Sequence, residues 1–140
     1  MTRVTRAAGG WSLAVIVLIG CSNDKKPAEL TQDEEAIKNV GLAYRDASNH
    51  LKRGPANVHE LKPYLKKYGD PEQILVSPND GQPYEIVWGI IPLRQSQDAF
   101  SKRFLAYEKT GKDGKRYALD FMMKVHHLSD TEFTQMKGSN

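Results

Sequence analysis

The longest regular pattern of apolar positions begins shortly after residue 31. Its members recur at steps of three and four, which places them on one face of an α-helix: Ile37, Val40, Tyr44, Ala47 and Leu51. Thr31 and Glu34 have the spacing of a capping box, and Gly54-Pro55 is a stop signal. We therefore predict an amphipathic helix from about Gln32 to Lys52. We expect its apolar face to pack on a small sheet; the alternative is a groove for a partner helix.

A second, shorter helical segment is predicted from Val58 to Tyr68. Asn57 is a favourable N-cap, Glu60 stands at the capping-box position, and Gly69 can terminate the helix. Pro63 lies inside the segment, where it removes one helical hydrogen bond. We therefore expect two turns or an irregular start.

After Asp70-Pro71 the pattern changes to the alternation of β-strands. Apolar residues alternate with other residues in a first predicted strand: Tyr84, Ile86, Trp88 and Ile90. This strand is expected to be half-buried, with its aromatic face inward. Pro92 should end its ladder, because proline has no N–H to donate.

Two further strands are predicted to form a hairpin. Phe104 to Glu108 and Tyr117 to Met123 flank a polar segment that contains Asp113-Gly114, a strong signal for a tight turn because both of its central positions favour positive φ. A turn at this dipeptide sets the register of the strands and predicts three facing pairs: Ala106 with Phe121, Phe104 with Met123, and Glu108 with Leu119.

The chain ends in a predicted short helix from about Asp130 to Met136. Ser129 and Glu132 have capping-box spacing, and Phe133 supplies an apolar contact. Residues 31–140 are therefore expected to form a single α+β domain. Its long N-terminal helix packs on a three-stranded antiparallel sheet, and a short helix follows at the C-terminus.

The first 20 residues have the pattern of an export signal. Arg3 and Arg6 precede a nine-residue apolar run from Trp11 to Ile19, far shorter than the roughly 20 residues that span a membrane. A polar stretch that contains Pro27 follows. We expect residues 1–20 to be cleaved and residues 21–30 to form a tether.

Leu18-Ile19-Gly20-Cys21, at the end of the apolar run, resembles the lipobox of bacterial lipoprotein precursors. This resemblance implies that the Cys21 thiol receives a diacylglyceryl group, that the leader is cut before it, and that the new amine is acylated. The protein would then be anchored to a membrane of the cell envelope, facing the periplasm or the exterior. In that family an aspartate after the cysteine often retains the protein at the inner membrane, so the resemblance, with Ser22 at this position, implies the outer membrane in a cell that has one. An ordinary buried thiol and a plain secretory leader are the alternatives.

The order of elements after the tether is similar to the globular part of type II secretion pseudopilins and related pilin-like proteins. The loop from Ser77 to Tyr84, which leads into a strand with Trp88-Gly89, carries the likeness, and it extends over about Asp33 to Met123. The resemblance implies a part in a secretion or pilus assembly. The leader departs from the pilin pattern, because its apolar run is too short for a stalk helix and lacks the expected glutamate.

Charge and cysteine content exclude several classes of protein. The 20 basic and 17 acidic residues give +3, and removal of Arg3 and Arg6 with the leader gives 18 minus 17, or +1. This balance gives no indication of a nucleic-acid partner, which requires a clustered basic surface. Cys21 is the only cysteine, which excludes an intramolecular disulfide framework and a cysteine-rich zinc ribbon.

Candidate metal ligands are few in this sequence. The four histidines lack the helical spacing of a zinc protease: His50, His59, His126 and His127. The last two are adjacent and should point to opposite faces of a strand. Asp80 is a candidate calcium ligand, as the pseudopilin resemblance implies. We expect no metal and no cofactor.

Candidate catalytic groups are similarly sparse. No serine lies in a G-x-S-x-G elbow and no Walker loop is present. Glu108 and Asp120 lie on neighbouring predicted strands but should face opposite sides. A basic cluster surrounds the predicted hairpin turn, and it is a candidate contact for lipid headgroups or an acidic partner: Lys109, Lys112, Lys115 and Arg116.

The sequence thus favours a membrane-anchored envelope lipoprotein with a non-catalytic binding or assembly role and a protein partner in the envelope. One alternative is a periplasmic or surface hydrolase, which would need a deep pocket lined by Asp120, His126 or His127. The other is an accessory subunit of a secretion or pilus assembly.

Overall fold

The computed structural model describes residues 29–92 and 104–138. They form an α+β fold with one long helix, two short helices, a four-stranded antiparallel sheet and a C-terminal helix. The predicted fold class is confirmed, with one strand more than expected. The predicted leader, the lipobox and most of the tether lie outside the described residues.

Helix α1, Gln32–Leu51, follows the prediction closely. The Thr31 N–H donates to Glu34 Oε2 at 2.8 Å, and the Glu34 N–H donates to Thr31 Oγ1 at 3.3 Å, so the capping box is formed. The helix ends at Leu51, and the C-cap residue Lys52 has a φ of 60°, in the left-handed region. The apolar face is buried as expected, and four of its residues are fully buried: Ile37, Val40, Tyr44 and Ala47.

Helix α2, Val58–Leu65, has the two turns that Pro63 indicated, but it ends before the predicted Tyr68. The Asn57 side chain caps it by accepting from two backbone N–H groups, those of His59 and Glu60.

Helix α3, Pro71–Ile74, was not predicted. Asp70 Oδ1 accepts from the Glu72 N–H at 3.1 Å, and Pro71 occupies the first turn. Aspartate followed by proline is a helix-start signal, since the missing proline N–H would have had no partner there.

Strand β1, Glu85–Ile86, is much shorter than the predicted strand from Tyr84 to Ile90. The reason is a competing contact, because the Gly89 N–H donates to the carbonyl of Pro55 at 2.9 Å. The second half of the predicted strand therefore packs beside the segment that follows α1 and leaves the sheet.

Strands β2, Phe104–Tyr107, and β3, Lys115–Asp120, form the predicted hairpin. Asp113 and Gly114 have φ values of 53° and 71°, and Lys112 and Lys115 exchange two backbone hydrogen bonds of 2.8 and 3.0 Å. The expected tight turn is therefore present.

The predicted register of this hairpin was wrong. The observed partners are shifted relative to the predicted ones: Ala106 with Leu119, Phe104 with Asp120, and Glu108, through its N–H, with the Tyr117 carbonyl. Tyr107 pairs with Ala118, and Lys112 pairs with Lys115. Between these two pairs, one strand has four residues, 108–111, whereas the opposite strand has only two, 116 and 117. A further irregularity lies between Phe104 and Ala106. Such bulges change register and cannot be read from the turn alone.

The additional strand, β4, covers Val125–Ser129 and leads into helix α4, Asp130–Gly138. The predicted capping box is confirmed: Ser129 N–H donates to Glu132 Oε2 at 2.8 Å, and Glu132 N–H donates to Ser129 Oγ at 3.3 Å. The sheet order is β1-β2-β3-β4, all neighbours antiparallel.

The sheet carries a hydrophobic cluster on each face. The larger cluster joins α1 and α2 to the sheet, and the smaller one, of Phe104, Ala118 and Phe133, joins the sheet to α4. Gly41 permits the close approach of α1, because a Cβ there would lie 2.2 Å from the Leu119 side chain. Both clusters lie between Ile37 and Phe133, so a chain that starts at Ser22 contains all of this core.

Candidate functional site

The predicted lipidation site, Cys21, lies outside the described residues, so it stays a prediction. Within residues 29–92 and 104–138, none of the helices combines the length and apolar character of a membrane span. The remaining predicted site residues all lie in the described part of the chain.

Asp80, the candidate calcium ligand, joins the loop of residues 77–82 to the β2–β3 hairpin. Its Oδ1 accepts from the Gln82 N–H, and its Oδ2 accepts from the Thr110 N–H and hydroxyl and from the Gly111 N–H, all within 3.1 Å. Burial opposes ionisation, but these donors outweigh it and lower the pKa of Asp80. The carboxylate is therefore engaged by hydrogen-bond donors, and the described residues contain no group of three or more His, Cys, Asp or Glu side chains placed to hold a metal ion.

Glu108 is a buried carboxylate, only 1% exposed. It accepts from the Ser77 hydroxyl, from the Asn79 side-chain amide at 2.9 Å, and from the Tyr117 N–H at 2.8 Å. Three donors from two separate segments thus converge on one acid. Together, Glu108 and Asp80 hold the loop of residues 77–82 against the hairpin.

The histidines do not meet at a common site in the described structure. His126 Nε2 lies 2.8 Å from Asp120 Oδ2, whereas the His127 ring stacks on Tyr117 with centroids 4.3 Å apart. These two neighbours therefore use opposite faces of β4, as expected. His50 Nδ1 lies 2.8 Å from the Tyr64 hydroxyl, and His59 is exposed near the start of α2.

The basic cluster at the hairpin divides into two parts. Arg116 donates to the Lys109 carbonyl at 2.9 Å and to Asp130, and its guanidinium lies 4.5 Å from the Phe133 ring centroid. It therefore fastens α4 to the hairpin. The three lysines are exposed: Lys109, Lys112 and Lys115.

A groove of about 670 Å³ lies between the N-terminal half of α1 and the segment that contains α3. Ala36, Ile74 and Val76 contribute half-buried apolar surface to it, and Gln32 and Gln73 are exposed along it. Its volume is in the range of ligand sites, which combine apolar walls with a few polar groups. We define this feature as the α1–α3 groove.

The α1–α3 groove is acidic. Three carboxylates line it, those of Glu35, Asp70 and Glu72, and no lysine or arginine is among its described lining residues. Glu72 is paired with Lys62 and Asp70 caps α3. The Glu35 side chain has no hydrogen bond or ion pair with any residue of the described chain.

The α1–α3 groove was not predicted from the sequence. The residues of its α1 wall recur at steps of three and four, a spacing that places them on one face of the helix: Gln32, Glu35, Ala36 and Asn39. Their polar character is equally typical of a solvated helix face, so the pattern alone does not identify a groove. The hydrolase alternative expected a pocket lined by Asp120, His126 or His127, and none of these residues lines the α1–α3 groove.

Comparison with known proteins found no match: no protein-family model, no curated protein and no solved structure matches the chain. The resemblances to lipoprotein precursors and to pseudopilin domains therefore remain predictions.

Proposed function

We propose that this protein is a lipid-anchored binding protein of the cell envelope that presents the α1–α3 groove near the membrane. The position of the groove carries the proposal. Gln32, the first residue of α1, lines the groove and lies eleven residues after the candidate lipidation site Cys21. At about 3.6 Å per residue, this length holds the groove within about 40 Å of the anchor.

The lipid is the dominant membrane attachment in this proposal. Each buried methylene contributes about 0.8 kcal/mol, so several acyl chains outweigh Lys25 and Lys26, which add about 1 kcal/mol each at an anionic surface. Tethering restricts encounters to the membrane surface and raises the effective concentration of an envelope partner. Modest affinity at the groove is then sufficient.

The anchor is tested by labelling cells with a radioactive fatty acid. Cys21→Ala should abolish labelling and leave the precursor uncut, because no other thiol is present. Ser22→Ala, its neighbour, is the matched control and should be labelled and processed normally. Label that still enters the Cys21→Ala protein would refute the proposed anchor.

The binding role is tested against the catalytic alternative by complementation of a deletion strain. Cys21→Ala should impair complementation, whereas His126→Ala and His127→Ala should complement normally. Loss of complementation by either histidine variant, with an unchanged circular dichroism spectrum, would favour a hydrolase.

A further inference from the structure

We propose that the α1–α3 groove binds an extended peptide segment of a partner protein and that lysine or arginine side chains of this segment are recognised. This inference rests on the proposed binding function and adds the chemistry of the partner.

The shape of the groove suits an extended chain. It is open, and its half-buried residues, including Ala36, Ile74 and Val76, offer apolar contact. Side chains of an extended peptide point alternately to opposite sides, so one set can enter the groove while the other faces solvent.

Charge complementarity selects a cationic partner. Glu35 and Asp70 stand on opposite walls, and Lys62 compensates only Glu72. An anionic ligand such as a phosphate group would meet like charge along both walls. A lysine or arginine side chain would instead find in Glu35 a carboxylate that has no partner in the described structure, and an ion pair of this kind adds specificity and a faster association rate.

Amide side chains supply the remaining recognition groups. Gln32 and Asn39 on α1 and Gln73 on α3 line the groove, and their side chains make no hydrogen bonds with the described residues. Each amide can both donate and accept, as the backbone of an extended peptide requires. The backbone at Glu35 is fixed by a capped helix, so little backbone order has to be created along this wall on binding.

The proposal is tested by selecting a displayed library of random dodecapeptides on the immobilised chain that starts at Ser22. Selected peptides should be enriched in lysine and arginine. A selected peptide, labelled with fluorescein, should bind in a fluorescence polarisation assay. Glu35→Lys should raise its dissociation constant about tenfold or more, since it replaces an attractive charge with a repulsive one. Glu85→Lys makes the same change at an exposed β1 residue outside the groove and should leave binding unchanged.

A second variant tests the shape of the groove without changing its charge. Ala36→Trp should fill part of the groove and weaken binding of the same peptide. Thermal unfolding confirms that the variant retains the fold. Three results would overturn the proposal: no enrichment, enrichment of acidic peptides, or undiminished binding by Glu35→Lys. Binding that appears only after removal of residues 22–28 would also overturn it, because the chain's own tether would then be the occupant.

Failure of this inference is distinguishable from failure of the proposed function. If Cys21→Ala impairs complementation while Glu35→Lys and Ala36→Trp complement normally, the anchored function stands and the groove is not the recognition site. If Glu35→Lys and Ala36→Trp also fail to complement the deletion strain, both proposals are supported.

Discussion

Two glycines at the tip of the β2–β3 hairpin have the same φ but different surroundings. Gly111 and Gly114 both have φ of 71°. A Cβ at Gly114 would meet nothing within 4 Å, whereas one at Gly111 would lie 2.2 Å from the carbonyl oxygen of Lys115. Gly114 is therefore required only for its backbone conformation, and Gly111 also for space.

Alanine substitutions should separate these two requirements. Gly114→Ala should lower the free energy of unfolding by about 1–2 kcal/mol, the cost of the left-handed region for a residue with a side chain. Gly111→Ala should lower it further, because the clash with backbone is added. Thermal and urea unfolding of both variants measures the difference. Equal losses would show that the approach of Gly111 to Lys115 is not tight.

Glu108 shows how strongly one buried side chain depends on its partners. Glu108→Ala would leave the Ser77 hydroxyl, the Asn79 amide and the Tyr117 N–H without their acceptor. Since each unsatisfied buried donor costs about 1–3 kcal/mol, we expect a loss of about 3 kcal/mol or more in urea unfolding. Glu85→Ala, an exposed control, should change little. Similar midpoints for the two variants would contradict the assigned role of Glu108.

At the scale of elements, one ion pair joins the end of α1 to the start of α2. The Arg53 guanidinium donates to both oxygens of Glu60 at 2.7 and 2.8 Å, and the Ala56 N–H donates to Glu60 Oε2 at 2.9 Å. The hydrogen bonds from Arg53, followed by the one from Ala56, lower the pKa of Glu60 from 4.5 to about 2. The charged form of Glu60 is therefore favoured in the folded state.

This depressed pKa predicts a pH dependence. The stabilisation is present above the ordinary pKa of 4.5 and is lost as the pH falls toward about 2, where the folded protein also takes up the proton. In Glu60→Gln, the urea midpoint should therefore decrease less over this pH range than in the wild type. In Glu85→Gln, the decrease should equal that of the wild type. A wild-type pH profile retained in Glu60→Gln would show that this pair does not contribute.

For the whole molecule, the position of the core predicts independent folding. A soluble chain that starts at Ser22 contains both clusters, so it should unfold in one cooperative transition without lipid. Because Asp80 is engaged by hydrogen-bond donors, addition of EDTA should leave its melting temperature unchanged. A non-cooperative transition would contradict the first expectation, and a marked fall in melting temperature with EDTA would contradict the second.

The sequence predicted features that depend on near neighbours. Thr31 and Glu34 are three residues apart, so their hydrogen bonds can be inferred from the pattern alone. The turn at Asp113-Gly114 is equally local, because positive φ is a property of the dipeptide. The periodicity of α1 identified its buried face in the same way. Helix α3 has a local start signal as well, Asp70-Pro71, but four residues are too few to show helical periodicity beside the alternation that follows.

Only the tertiary structure decided the features that join distant segments. The hairpin register depends on bulges, the length of β1 on a hydrogen bond between Gly89 and Pro55, and the burial of Glu108 on donors about 30 residues away in the chain. The α1–α3 groove arises where residues 32–39 lie beside residues 68–78. Local propensity carries no information about which remote segments meet, because burial and long-range hydrogen bonds act only once the chain has folded.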